Sequence, residues 1–122
     1  MQLVEDRPEA RYVLRAVAAA GITINDRTYG QSLILSPDRV IENWRHGADL
    51  LPSDLEVALA LDPELILLGT GERQRLPSPA VFAACLTRGV GIEAMDNAAA
   101  GRTFNVLAGE NRRVVAAFML PG

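Results

Sequence analysis

Residues 65–71 read Leu-Ile-Leu-Leu-Gly-Thr-Gly, a fully apolar run that leads into a turn bounded by two glycines. Four consecutive apolar residues before turn residues are typical of a strand buried on both faces of a parallel sheet. Asp62-Pro63 precedes the run, and the residue before a proline is pushed out of the helical conformation. We therefore predict that a helix ends at Asp62 and that a buried strand begins at Leu65.

Helical and extended patterns alternate on both sides of this strand. Upstream, Ser53-Asp54-Leu55-Glu56 has the spacing of a capping box and predicts a short helix that begins at Ser53. Downstream, Ser78-Pro79 combines a hydroxyl cap with a first-turn proline. The remaining predicted elements are a helix from Ser78 to Gly89, a strand at 90–93, a helix capped by Asp96 or Asn97 that ends at Gly109, and a strand at 113–120.

The N-terminal third carries strand-like alternation. Ile22 and Ile24 are separated from residues 33–35 by the polar turn 25–27, which predicts a β-hairpin between these two apolar segments. A second turn at 36–39 leads into a predicted short strand at 40–44. Residues 11–20 suit a helix because of their alanines and a strand because of their β-branched and aromatic residues, and we favour the strand.

Together these elements predict an α/β fold. Helices that alternate with buried strands, behind a hairpin, indicate a three-layer α/β/α sandwich with a central mixed β-sheet and an N-terminal β-hairpin or meander at one edge. The chain has 122 residues, of which 49% are apolar. That size and composition predict a single domain over residues 1–122.

Composition excludes several classes of function. Twelve basic residues against fifteen acidic ones give a net charge of −3, which argues against a nucleic-acid partner. All twelve basic residues are arginine, so a Walker A lysine and Schiff-base chemistry are excluded. The chain has one cysteine and one histidine, which excludes an intrachain disulfide, a thiolate zinc cluster and a multi-histidine metal site. We predict no metal and no cofactor.

The chain ends and apolar runs predict a cytoplasmic protein that does not span a membrane. The first residues carry two acids before Pro8 and lack the basic start and apolar core of a secretory signal. The longest apolar stretches, 13–20 and 59–68, are interrupted by charged residues and are shorter than the roughly 20 residues of a membrane helix.

The first candidate binding residues follow the buried strand. Gly69, Thr70 and Gly71 let a backbone approach a ligand, and Arg73 is able to hold an anion. A nucleotide fingerprint requires the glycine loop to open directly into a helix, but six residues intervene before Ser78. A tight structural turn is therefore favoured over phosphate binding.

The second group lies on the predicted third helix. Asp96 stands at its start, and Arg102, Thr103 and Asn105 follow, with Arg102 and Asn105 three residues apart on one face. A helix cap with a solvated face is slightly favoured over a binding surface. Gly101 in the helix interior costs about 1 kcal/mol relative to alanine, which indicates a reason of packing or access.

Other chemically interesting residues have structural interpretations. Trp44 is expected to pack in the core, His46 to lie at the surface, and Cys85 to be a buried small apolar residue. No Gly-x-Ser-x-Gly elbow surrounds any serine. We assign no catalytic residue.

Two long segments resemble a known family. They are residues 65–122, LILLGTGERQRLPSPAVFAACLTRGVGIEAMDNAAAGRTFNVLAGENRRVVAAFMLPG, and residues 33–44, LILSPDRVIENW. The set resembles a family of uncharacterised bacterial and archaeal domains that includes mitochondrial NADH dehydrogenase (complex I) assembly factor 3. The resemblance implies a three-layer α/β domain with a mixed sheet and a strand of the N-terminal meander at 11–17.

The resemblance also bears on function. Members are not established as enzymes, and the mitochondrial ones act as assembly partners of respiratory complex I. The family offers no accepted catalytic residue. Several relatives have a cysteine where Gly101 stands, so a thiol role at that position does not apply to this chain.

Two functional hypotheses follow. The first is a non-enzymatic cytoplasmic protein-interaction or assembly factor whose partner is a protein, including a respiratory-chain complex. The alternative is a small-molecule or anion-binding protein, or an enzyme, with a crevice formed by Gly69, Thr70, Gly71, Arg73, Asp96, Arg102, Thr103 and Asn105. Convergence of these side chains on one concave surface would favour the alternative, and an exposed apolar patch would favour the first.

Overall fold

The computed structural model describes residues 11–121. Its elements in chain order are strands β1 (Leu14–Ala18), β2 (Gly21–Ile24), β3 (Arg27–Tyr29), β4 (Leu33–Ser36) and β5 (Arg39–Ile41), a 3-10 helix (Pro52–Leu55), helix α1 (Glu56–Leu59), strand β6 (Leu65–Gly69), helix α2 (Pro79–Leu86), strand β7 (Gly91–Met95), helix α3 (Asn97–Gly109) and strand β8 (Val114–Phe118).

The described strands form a five-stranded sheet and a separate three-stranded meander. The five-stranded sheet has the order β5-β4-β8-β6-β7 and is mixed, because β6 runs parallel to β7 and β8 whereas β4 runs antiparallel to β5 and β8. All five residues of β8 are buried, as expected of a central strand covered on both faces. The predicted buried strand at 65–68 is confirmed as β6.

Side-chain alternation along these strands creates a core on each face of the central sheet. Ile66 and Leu68 of β6 pack on the face that α1 and α2 cover, together with Trp44. Leu67, between them, packs on the opposite face with Phe104 of α3 and residues of the meander. The predicted three-layer α/β architecture is therefore confirmed, with the second outer layer shared between α3 and the meander.

The meander corrects the predicted hairpin. Residues 21–24 pair with Arg27–Tyr29 across a two-residue turn in which Asn25 has φ 54°, and residues 33–36 form β4 of the central sheet. The predicted pairing of residues 22–24 with residues 33–35 is thus wrong. All four residues of β4 are buried, so its apolar run needs a position covered on both faces, and the polar β3 lacked any apolar signal. The strand favoured within residues 11–20 is confirmed as β1.

Other element boundaries also differ from the sequence prediction, as in the helix predicted from Ser78 to Gly89, which spans Pro79–Leu86. The helix predicted to begin at Ser53 begins at Pro52 as a 3-10 turn, and Asp54, not Glu56, accepts a hydrogen bond from the Leu51 N–H (2.8 Å). Proline has a helical φ and needs no N–H at the first helical position, so the start moves to it. The strand predicted at 40–44 ends at Ile41, and Trp44 lies beyond it in the core with its indole N–H donating to the Asp54 carbonyl (2.8 Å).

Gly101 is explained by close packing between α3 and β1. An added Cβ would stand 2.9 Å from Leu14 Cδ2 and 3.2 Å from Val17 Cγ2. Four residues further along α3, the Asn105 amide accepts from the Leu14 N–H (3.2 Å) and donates to the Leu14 carbonyl (2.7 Å). Gly101 and Asn105 therefore hold the meander against α3.

Cys85 is fully buried as expected, and that burial raises the pKa of its thiol.

The carboxylate of Glu64 is expected to make the stability of the fold depend on pH in the acidic range. Its carboxylate accepts from the Arg113 backbone N–H (3.1 Å) and from Arg112 Nε (2.9 Å), and these bonds lower the pKa of Glu64 below its ordinary value. A lowered pKa stabilises the fold above the unfolded-state pKa, and the stabilisation is lost as pH falls through the folded-state pKa. We expect Glu64→Gln to flatten the fall of the thermal midpoint between ~pH 7 and ~pH 3. Glu110→Gln, an exposed control, should leave that fall unchanged, and equal slopes for wild type and Glu64→Gln would contradict the assignment.

Candidate functional site

The glycine turn after β6 meets the start of α3. The parallel register of β6 and β7 places Gly69 beside Met95, so the chain leaves both strands at the same edge of the sheet. The Thr70 N–H donates to the Met95 carbonyl (2.8 Å), and the Asn97 N–H donates to the Gly71 carbonyl (2.8 Å). The glycine turn and the start of α3, which lie 25 or more residues apart in the chain, are therefore joined by backbone hydrogen bonds.

Thr70 organises the turn from within. Its side chain is buried, and its hydroxyl accepts from the Arg75 N–H (2.9 Å). The same hydroxyl lies within hydrogen-bond distance of the Arg73 carbonyl and of the Met95 carbonyl (3.2 Å). Its O–H donor and one of its two acceptor positions are thus engaged inside the protein, as in the tight structural turn that the sequence favoured.

Asn97, which the sequence offers as an alternative cap of α3, instead bridges the glycine turn and the segment after β8. It is 4% exposed, its Oδ1 accepts from the Gly71 N–H (3.1 Å), and its Nδ2 donates to the Met119 carbonyl (3.0 Å). A Cβ on Gly69 would overlap Asn97 Oδ1, which explains the first glycine of the turn. The cap of α3 is Asp96, whose Oδ1 accepts from the Ala99 N–H (2.7 Å).

A cleft of about 630 Å³ opens beside this junction, and we call it the loop cleft. Four of the predicted site residues line it: Thr70, Gly71, Arg73 and Asp96. Its other polar walls include Glu72, Arg75 and His46. Two arginines and two acidic residues thus line the opening, so the cleft has mixed charge.

The remaining predicted residues lie elsewhere. Gly69 is buried beneath the turn and does not line the cleft. Thr103 donates to the Ala99 carbonyl one helical turn back (2.8 Å), Asn105 holds β1, and Arg102 is exposed on α3. The structure therefore brings the glycine turn and the helix start together and leaves residues 102–105 outside the loop cleft.

Arg102 is a suitable test of the solvated-face interpretation. Among the described residues, its side chain has no hydrogen bond or ion pair, and arginine and alanine have similar helix propensity. We expect Arg102→Ala to change the free energy of unfolding by less than about 0.5 kcal/mol in urea denaturation. A loss above about 1 kcal/mol would mean that Arg102 anchors the helix to the sheet.

His46 differs from its expected surface position. It is half-buried, its Nε2 lies 2.8 Å from Ser32 Oγ, and its Nδ1 lies 2.9 Å from the Gly47 carbonyl. The Ser32 hydroxyl also accepts from the Leu120 N–H (2.8 Å), and the Trp44 ring centroid is 4.7 Å from that of His46. The Ser32 hydroxyl, before β4, therefore joins the segment after β8 to the His46 imidazole, and His46 and Leu120 both line the loop cleft.

A second cleft, of about 290 Å³, shares Thr70 and Arg75 with the loop cleft. We call it the leucine cleft, because Leu51 and Leu76 line it, and both are strongly exposed at 57% and 75%. Pro77 and the buried Leu50 and Leu68 complete its apolar wall. Two large exposed apolar side chains at one depression form a surface typical of contacts with other proteins.

Among the described residues, no helix has the length and apolar character needed to cross a membrane.

Comparison with known proteins places this chain among similar sequences. It is 32% identical over 117 residues to the "13 kDa major membrane protein" of Francisella tularensis, covering 93% of this chain and 95% of that protein. It is 31% identical over 124 residues to "NADH dehydrogenase [ubiquinone] 1 alpha subcomplex assembly factor 3" of Bos taurus, covering 98% of this chain but 66% of that protein. The chain thus spans just under two thirds of the bovine factor.

A solved structure shares the fold. The NMR structure of a Xanthomonas campestris protein superposes with a TM-score of 0.84 at 49% identity, covering 98% of this chain and 92% of that one. The family model described as "Protein of unknown function (DUF498/DUF598)" matches residues 14–119. The resemblance found in the sequence is confirmed, and the chain belongs to this family of proteins of unknown function.

Proposed function

We propose that this chain is a non-enzymatic protein-interaction factor that acts in the cytoplasm and assists the assembly of a respiratory membrane complex. The observation that carries the proposal is the 31% identity, over 98% of the chain, to a protein named as a complex I assembly factor. The exposed Leu51 and Leu76 support it, because such side chains lose unfavourable hydration when a partner covers them. The engaged hydroxyl of Thr70 offers no free nucleophile at the glycine turn.

A pull-down experiment tests this function. Tagged wild-type protein is used as bait in a mild-detergent extract of the cells in which the protein naturally occurs. Captured proteins are identified by mass spectrometry. We expect the wild-type bait to capture subunits of a respiratory complex. Leu51→Ser/Leu76→Ser should lose them, whereas Leu86→Ser/Val106→Ser, which changes two other exposed apolar residues, should retain them. Wild-type bait that enriches no such subunit would overturn the proposal.

A second candidate function, small-anion binding, is favoured by the loop cleft. Its volume of about 630 Å³ lies in the range of small-ligand sites, and Arg73 and Arg75 stand at its wall. A thermal-shift screen with phosphate, sulfate and dicarboxylates tests it. Stabilisation that Arg73→Ala/Arg75→Ala abolishes and the exposed control Arg45→Ala retains would support binding. Absence of any shift at ~10 mM anion would contradict it.

A further inference from the structure

We propose that a third depression, the arginine cleft, binds an acidic segment of the protein partner, an inference that rests on the proposed interaction function. The cleft has a volume of about 340 Å³, and its guanidinium groups belong to Arg11, Arg39, Arg112 and Arg113. It lies where β8 begins, since Val114 and Val115 line it, whereas the loop cleft is lined by Met119 and Leu120 beyond the end of β8. The two clefts therefore occupy opposite ends of the central sheet.

Backbone hydrogen bonds bring these arginines together from three separate parts of the chain. The Tyr12 N–H donates to the Pro37 carbonyl (2.8 Å), which fixes Arg11 beside the turn that precedes Arg39. On the other side, the Glu64 N–H donates to the Arg113 carbonyl (2.8 Å), which fixes the start of β8. The cluster is thus a product of tertiary structure and not of a basic run in the sequence.

The charge of the arginine cleft opposes that of the whole chain. Its described lining has four guanidinium groups and one carboxylate, Asp38, in a protein of net charge −3. Glu64 outside the lining pairs with Arg112 at 2.9 Å, and Arg113 Nε donates to the Asp62 carbonyl at 3.1 Å. These two contacts hold the side chains in place, and among the described residues at the cleft arginines still outnumber carboxylates. The loop cleft, by contrast, has equal numbers of arginines and carboxylates.

The lining of the arginine cleft favours an extended peptide over a single small anion. Arginines from three chain segments line the depression, and a single small anion has too few oxygens to pair with all of them. The successive carboxylates of a peptide, by contrast, match several guanidinium groups. Leu61 and Pro63 add an apolar wall that suits an aliphatic side chain between acids. Complementary charge of this kind steers association and selects the partner.

Fluorescence polarisation with a fluorescein-labelled peptide tests the proposal, the probe being a glutamate-rich peptide of roughly ten residues with a central leucine. Wild-type protein should bind it at ~50 mM NaCl and lose it at ~500 mM, because salt screens exposed charges. Arg11→Glu/Arg39→Glu should weaken binding about tenfold or more. The control Arg45→Glu/Arg102→Glu makes the same change in net charge at exposed positions outside the cleft and should weaken it less than about twofold.

The outcomes separate this inference from the proposed function. No binding of the peptide, or equal weakening by both double variants with native circular dichroism, would overturn the arginine cleft as the site. Binding to vesicles of phosphatidylglycerol and phosphatidylcholine with the same variant dependence, but not to the peptide, would replace the partner segment with a membrane surface. If wild-type bait and Arg11→Glu/Arg39→Glu bait capture respiratory subunits equally, this inference fails and the proposed function stands. If peptide binding is as expected and no subunit is captured, the proposed function fails.

Discussion

Phe104→Ala is expected to lower the free energy of unfolding by about 3–5 kcal/mol, because truncation of a large buried aromatic side chain leaves a cavity and loses its transfer free energy. Phe104 is fully buried on α3 and belongs to the core shared with Leu67 of β6 and Phe118 of β8. It holds α3 and the meander against the central sheet. A loss of this size is a large fraction of the stability of a typical domain, which is about 5–15 kcal/mol.

Urea denaturation followed by tryptophan fluorescence and circular dichroism measures this loss. Val106→Ala is the matched control, since Val106 lies two residues further along the same helix and is 59% exposed, so a change within about 0.5 kcal/mol is expected. A loss below about 1.5 kcal/mol for Phe104→Ala would mean that the neighbouring side chains collapse into the space.

Asn97→Ala is expected to lower the free energy of unfolding by about 1–3 kcal/mol, although it removes only a small polar side chain. The amide satisfies the Gly71 N–H and the Met119 carbonyl at a buried position, and alanine leaves both without this partner. Because Gly71 and Met119 are only partly buried, each lost hydrogen bond is expected to cost the net value of about 0.5–1.5 kcal/mol. Both partners line the loop cleft, so the substitution loosens its wall as well.

Amide hydrogen exchange distinguishes this mechanism from general destabilisation. The Gly71 N–H should exchange faster in Asn97→Ala than global unfolding alone predicts, because its acceptor has been removed. Arg102→Ala, further along the same helix and exposed, is the control for a substitution on α3 and should leave that exchange unchanged. If Gly71 exchange follows global stability, the amide does not hold the turn.

The candidate site is divided between what local patterns indicate and what they do not. The glycine turn and the start of α3 both follow from local sequence, because Gly69 and Asp96 are residue types that turns and helix caps require. Asn97 was not recognised as a bridge, since its two partners are 26 and 22 residues away in the chain. Arg102 and Asn105 lie on the predicted helix, but neither lines the loop cleft. Their spacing along the helix does not reveal which face of the helix the cleft meets.

The same division applies to the surfaces that carry the proposals. Leu51 and Leu76 belong to different segments, and only folding places them at one depression. The four arginines of the arginine cleft are distributed from Arg11 to Arg113, so no basic run in the sequence indicated them. His46 was expected at the surface because a lone histidine has no sequence partner, yet it bonds to Ser32, fourteen residues earlier.

The sequence by itself determined the order and type of the elements from β6 onward and the α/β class, because these depend on local properties: apolar runs, the cap at Asp96 and the prolines at positions 63 and 79. Tertiary structure decided the strand pairing and the site geometry. The apolar residues of β4 are buried on both faces in the central sheet, where β4 pairs with β8. Asn105 forms a hydrogen bond with the backbone of Leu14, 91 residues away in the chain. Such choices follow from packing and hydrogen bonding between distant segments, which local periodicity does not encode.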